Sequence, residues 1–138
     1  MTYEFSVPGR PHPCMRARLN GHGGVYDPAR NRVAKADIAL SARAAGVRPM
    51  SGAVEIWINF AFRRPKSHLR KDGTLKPSAP VHHLRVPDLD NLVKTVKDGL
   101  KGIAWRDDCQ VVGMHVDKCW TMDSISETLI TIETVEGN

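Results

Sequence analysis

The run Pro87-Asp88-Leu89-Asp90-Asn91-Leu92-Val93-Lys94 sets two aspartates two residues apart, with a lysine one helical turn beyond the second. A second acidic pair, Asp107-Asp108, follows after a helix-length segment. Carboxylates are hard oxygen donors, and a group of them with no imidazole alongside favours magnesium or manganese over zinc. Magnesium keeps several waters and takes only one or two protein carboxylates, so a substrate phosphate can complete its shell. Such an ion orients and acidifies a water and offsets charge on the leaving oxygen, which is what in-line phosphodiester hydrolysis requires. Each acid also has a plain structural use: Asp88 as a helix cap, Asp90 as a complement to the helix dipole, Asp107 and Asp108 as turn formers. Spacing alone leaves both uses open.

The elements that must carry these residues are legible in the surrounding pattern. Pro87 favours an extended residue before it and Asp88 suits an N-cap, so Asp88 and Asp90 can converge at the head of a helix. Leu89, Leu92, Val93, Val96 and Leu100 form its apolar face, Asp90, Lys94 and Lys101 the other, and Gly102 suits the residue just past its end. The turn Trp105-Arg106-Asp107-Asp108 can return the chain beside the helix or an adjoining strand, so that three carboxylates from two elements meet. Val54, Ile56, Ile58, Phe60 and Phe62, at strict period two within Ala53 to Phe62, mark a strand with one buried face. Further strands are expected from Thr2 to Val7, from about Gln110 to Trp120 and from Glu127 to Val135. A first helix is expected from Asp27 as N-cap and Pro28 in the first turn to Ala45, with Gly46 as its stop.

Charge is concentrated where the chain has least regular pattern. The whole chain carries +5, yet residues 63–85 hold +6 through Arg63, Arg64, Lys66, Arg70, Lys71, Lys76 and Arg85 against Asp72 alone. That segment, with Pro65, Pro77, Pro80 and Pro87, reads as a long basic connection to about residue 87, suited to phosphate binding through counterion release or else to plain solvation. The loop from Pro8 to Gly24 adds Arg10, Arg16 and Arg18. An apolar share of 41% with 25% charged residues, in 138 residues, fits one folded domain and excludes a disordered chain. No run is long and apolar enough for a membrane span, and no signal-peptide pattern opens the chain, so a cytoplasmic protein with reduced thiols is expected. Cys14, Cys109 and Cys119, taken with His82, His83 and His115, match no zinc spacing. His82 and His83 read as exposed loop histidines, with phosphate contact when protonated as the alternative, and Trp57 and Trp105 read as packing residues.

The combination of residues 87–94, the segment Val96 to Gly102 and Ile103-Ala104-Trp105-Arg106-Asp107-Asp108-Cys109-Gln110-Val111 resembles the RusA family of Holliday junction resolvases. The likeness extends more weakly to the Pro/Arg-rich N-terminal loop, to Tyr26-Asp27-Pro28 and to Lys76-Pro77-Ser78-Ala79-Pro80, so that it spans most of the chain. It implies a single α/β (α+β) domain over residues 1–138, a small mixed sheet packed with two main helices. It also implies a homodimer that binds four-way DNA and makes paired, symmetry-related nicks with magnesium, manganese being the near substitute. Carried over by position, Asp88, Asp90 and Asp108 look like the catalytic, metal-holding carboxylates, and Lys94 like a cation that stabilises charge at the scissile phosphate. Asp107 and Asp108 must face opposite ways on an extended segment, and Asp108 is taken as the inward one. DNA contacts are expected from Arg16, Arg18, Arg63, Arg64, Lys66, Arg70, Lys71, Lys76 and Arg85. The chain departs from the family in its N-terminal loop, Cys14-Met15-Arg16-Ala17-Arg18, where Arg-Pro-Arg is common. A less selective nuclease on flaps, or a basic DNA-binding module without catalysis, are the competing readings.

Overall fold

The computed structural model describes residues 1–137. In chain order they form β1 (Thr2–Pro8), β2 (Arg18–Leu19), β3 (Val25–Tyr26), α1 (Ala29–Ala44), β4 (Val54–Arg63), α2 (Leu89–Leu100), β5 (Val111–Thr121) and β6 (Glu127–Thr134). The four long strands make one mixed sheet in the order β1-β6-β4-β5. β6 runs antiparallel to both β1 and β4, and β4 runs parallel to β5, so Ile58 lies opposite Ile130 on one side and Val116 on the other. Parallel neighbours need a crossover, and α2 supplies it between β4 and β5.

The period-two face of β4 is the floor of the core. Val54, Ile56, Ile58, Phe60 and Phe62 are all at most 2% exposed and cluster with Leu92, Val96 and Leu100 of α2 and with Ile38 and Ala42 of α1. The two helices approach closely at Gly99, where an added Cβ would stand 3.0 Å from the Ile38 Cβ and 3.2 Å from the Lys35 carbonyl oxygen. Both helices thus lie on one face of the sheet. On the other face Trp57 stacks on His115 at 5.1 Å between ring centroids, and Leu129 remains exposed. Trp105 is fully buried, as a packing residue should be.

Two connections differ from expectation. Helix α1 begins one residue later than the Asp27-Pro28 pattern suggests: Pro28 occupies the N-cap without a side-chain cap. Asp27 instead accepts from Asn31 Nδ2 at 2.8 Å and from Lys35 Nζ at 2.7 Å, so side chains outcompete the backbone for its carboxylate. Asn31, 1% exposed, also accepts from the Met15 amide at 2.9 Å and donates to the Met15 carbonyl at 2.8 Å, tying the N-terminal loop to α1. The basic connection is built rather than featureless. It contains a short 3-10 turn, Lys66–His68, and a bridge between Leu69 and Leu75. Among the described residues no helix is long and apolar enough to cross a membrane.

Candidate active site

Asp88 is the N-cap residue of α2 and has the extended backbone angles that a helix entry needs. Its carboxylate does not cap: no side-chain hydrogen bond to the helix is formed. Asp88, Asp90 and Lys94 are all exposed, and among the described residues none of the three enters an ion pair. Two carboxylates therefore sit unengaged at the positive end of a helix, where anions are favoured. The backbone leading into them is held from the sheet. Lys118 on β5 donates through Nζ to the carbonyl of Arg85 at 2.7 Å and to that of Pro87 at 2.9 Å, on either side of the cis Val86-Pro87 peptide. From the other side the Cys14 amide donates to the Asn91 carbonyl at 3.0 Å, joining the N-terminal loop to the first turn of α2.

That junction forms an open cleft of about 720 Å³ whose wall includes Arg10, Arg30, Met15, Val86 and Asp88. Arg30 lies on α1, and nothing in its sequence neighbourhood marks it; only the packing of α1 beside the loop brings it there. Arg10 belongs to the arginine-bearing N-terminal loop, and its guanidinium sits 5.3 Å over the Phe62 ring.

The second acidic pair lies elsewhere. Residues 101–107 turn back at the C-terminal end of α2, where Gly102 donates to the Trp105 carbonyl and Ala104 to that of Leu100. Twelve residues of helix separate this end from Asp88, about 18 Å at 1.5 Å per residue. Asp107 is consumed locally: it accepts from the Cys109 amide at 3.2 Å, while Gln110 Oε1 accepts from the Asp107 amide at 3.1 Å. The Cys109 amide holds its carboxyl below the usual carboxylate range. Asp108, half-buried, accepts from Trp105 Nε1 at 2.9 Å through one oxygen. Among the described residues no three acids, histidines or cysteines come together as a metal site. The convergence of three carboxylates within one chain is thus not what the fold produces: Asp88 and Asp90 share one end of α2 and Asp108 stands at the other.

The basic connection leaves the sheet at the Asp88 end of the domain, where the Arg64 amide donates to the Thr121 carbonyl. Arg64 is used internally, donating to the Pro80 carbonyl at 2.7 Å and lying 6.0 Å over the Trp120 ring. Arg63, Lys66, Arg70, Lys71 and Arg85 are exposed and Lys76 is half-buried; Arg16 and Arg18 are exposed around the small β2–β3 hairpin. Of the two loop histidines only His82 is exposed. His83 is 4% exposed, stacked on Trp120 at 4.1 Å and tilted against Phe62 at 4.5 Å, and His68, 5% exposed, meets the edge of Trp120 at 4.9 Å. Val81, His82 and Leu84 around it are exposed, so no local pattern marks His83 as buried, yet its ring seats the connection on the sheet. Desolvation, followed by Lys118 for His83 and by Arg64 for His68, pushes both imidazoles below their ordinary value.

A family profile described as endodeoxyribonuclease RusA matches residues 8–133. The Bacillus subtilis (strain 168) protein YqaN, itself described as uncharacterized, is 32% identical over a stretch covering 92% of this chain and 94% of its own length. The match runs from the arginine loop through the acidic head of α2 to the last strand, and this chain belongs to the RusA endodeoxyribonuclease family, a family of nucleases.

Proposed function

We propose that this protein is a cytoplasmic Holliday junction resolvase, a homodimeric magnesium-dependent endonuclease that makes paired nicks in four-way DNA. The observation that carries the reading is the pair of unengaged carboxylates, Asp88 and Asp90, at the head of α2 with Lys94 one turn on. By contrast Asp27, Asp72 and Asp107 are taken up by neighbouring donors. Hard carboxylates without an imidazole fit magnesium, with manganese as the near equivalent. Asp88 and Asp90 would hold it, and magnesium when bound supplies Lewis acidity toward the phosphate and acidifies water. Lys94 balances charge that develops on the phosphate oxygens. Exposed cations of the 63–87 connection hold the DNA backbone without reading its sequence.

Two features support a dimer. A four-way junction has two-fold symmetry and must be cut in two opposed strands, which two identical sites can do together. In addition, Asp108 lies at the far end of α2 from Asp88, so a second copy packed with its Trp105–Asp108 turn against the head of α2 would complete the acid set. The test is incubation of the purified protein with labelled four-way, flap and linear duplex DNA, in magnesium or in EDTA. Magnesium-dependent paired nicks in the four-way substrate are expected. Preferred cutting of flaps, or junction binding with no cutting in any divalent ion, would overturn the proposal.

A further inference from the structure

The open cleft between the N-terminal loop and the head of α2, about 720 Å³, has the size of sites that take a small organic molecule, ~300–1,000 Å³. Its wall is mixed. Pro13, Met15 and Val86 are apolar, Arg10 and Arg30 are cationic, His12, Cys14 and Asn91 are polar, and Asp88 brings the carboxylate. Among the described residues neither arginine is in an ion pair, so both guanidinium groups can meet an anion from outside. The segment that leads into the cleft supplies a second observation. Val81, Leu84 and Val86 are 78%, 87% and 78% exposed, three large apolar side chains on the same short segment that buries His83, and Val86 is the one that lines the cleft. They stand clear of the core, and proteins that kink DNA insert apolar side chains of this kind as wedges between base steps.

A nucleotide is the ligand with matching chemistry, since its base has a face that stacks on apolar and guanidinium surfaces and its diester is anionic. A base held in a duplex cannot enter a cleft; it must first leave its stack. We propose that this cleft receives one unpaired nucleotide of the bound DNA, the neighbour of the phosphate at Asp88. Its base lies against Pro13, Met15 and Val86, and its outer phosphate meets Arg10 and Arg30. The proposal rests on the role of Asp88 as a metal-holding carboxylate at the scissile phosphate. Its consequence is selectivity: unpairing is least costly at a branch point, so uninterrupted duplex is bound by the basic loop yet not presented for cutting.

The test uses the full chain and a four-way junction with 2-aminopurine placed in turn on each side of the mapped cut, in EDTA so that no cutting intervenes. Binding is followed separately by anisotropy of a dye on a distal arm. Wild-type protein should raise 2-aminopurine fluorescence several-fold at one of the two positions. Val86→Trp, which fills the cleft, and Arg30→Ala, which removes one phosphate contact and so binds more weakly, should each lose most of that rise when compared at protein concentrations that saturate the junction by anisotropy. A bound wild-type junction with both probes silent, or a rise undiminished in both variants, overturns the cleft. Failure of unmodified protein to cut the junction in magnesium would instead overturn the role of Asp88 on which the cleft depends.

Discussion

Asp88 and Asp90 differ from Asp27, Asp72 and Asp107 in having nothing to do inside the fold, and their replacement should therefore separate chemistry from structure. Asp88→Asn and Asp90→Asn should each abolish cleavage while junction binding and Tm stay near wild type, as read by gel cleavage, anisotropy and thermal melting. Asp107→Asn should do the reverse, lowering Tm by loosening the turn at Cys109 while cleavage survives. If Asp107→Asn is inactive and Asp108→Asn cleaves normally, the inward-facing acid has been misassigned. Lys94→Ala should cost about 10²–10³ in kcat, the usual effect of removing one group that meets developing charge. Lys118 touches no reacting group, yet it holds the carbonyls on both sides of Val86. As a positioning residue it should cost about 10–100-fold on replacement by Met, through weakened metal affinity that excess magnesium partly restores.

At the scale of elements, the basic connection is anchored by two buried imidazoles rather than by regular secondary structure. Each is held neutral by burial, with a folded-state pKa below the ordinary 6.5. As pH falls through that ordinary value the unfolded chain takes up protons that the folded chain refuses, so this contribution is full above the window and is lost as pH falls through it. His83→Phe, which keeps the stack on Trp120 without a titrating nitrogen, should flatten part of the dependence of Tm on pH between about 7 and 5. A Tm profile of His83→Phe that still follows wild type would assign the dependence to other groups. On the proposed reading, the exposed cations of the same element act on affinity instead. Replacing Lys71 or Arg70 should weaken binding to junctions of any sequence and reduce the salt slope by about one for each phosphate no longer neutralised.

For the whole molecule, the separation of Asp108 from Asp88 by the length of α2 makes a prediction that one self-sufficient site does not. Mixing Asp90→Asn protein with Asp108→Asn protein, each inactive alone, should form hetero-dimers with one intact composite site, and nicked junctions should appear on subunit exchange. A site complete within each chain would leave that mixture inactive, since both subunits would carry a lesion. Wild-type protein mixed with Asp90→Asn should bind junctions and accumulate single nicks rather than separated duplexes.

How much of this is legible in the residues alone follows from the range of the interactions involved. Period two in β4, the apolar stripe of α2, the glycine stops and the acidic motif are local properties, set by backbone geometry and by which face must be buried, and the sequence by itself determined them. So too was the location of the positive charge. Tertiary structure decided what depends on contacts between distant residues. Asp27 turned from its own helix end to Asn31 and Lys35, His83 was drawn from an apparent loop into the aromatic layer, and Arg30 reached the cavity wall because α1 packs beside the N-terminal loop. It also decided that α2, as the crossover between parallel strands, must run the length of the sheet, which is the physical reason that the two acidic pairs at its ends stay apart in one chain.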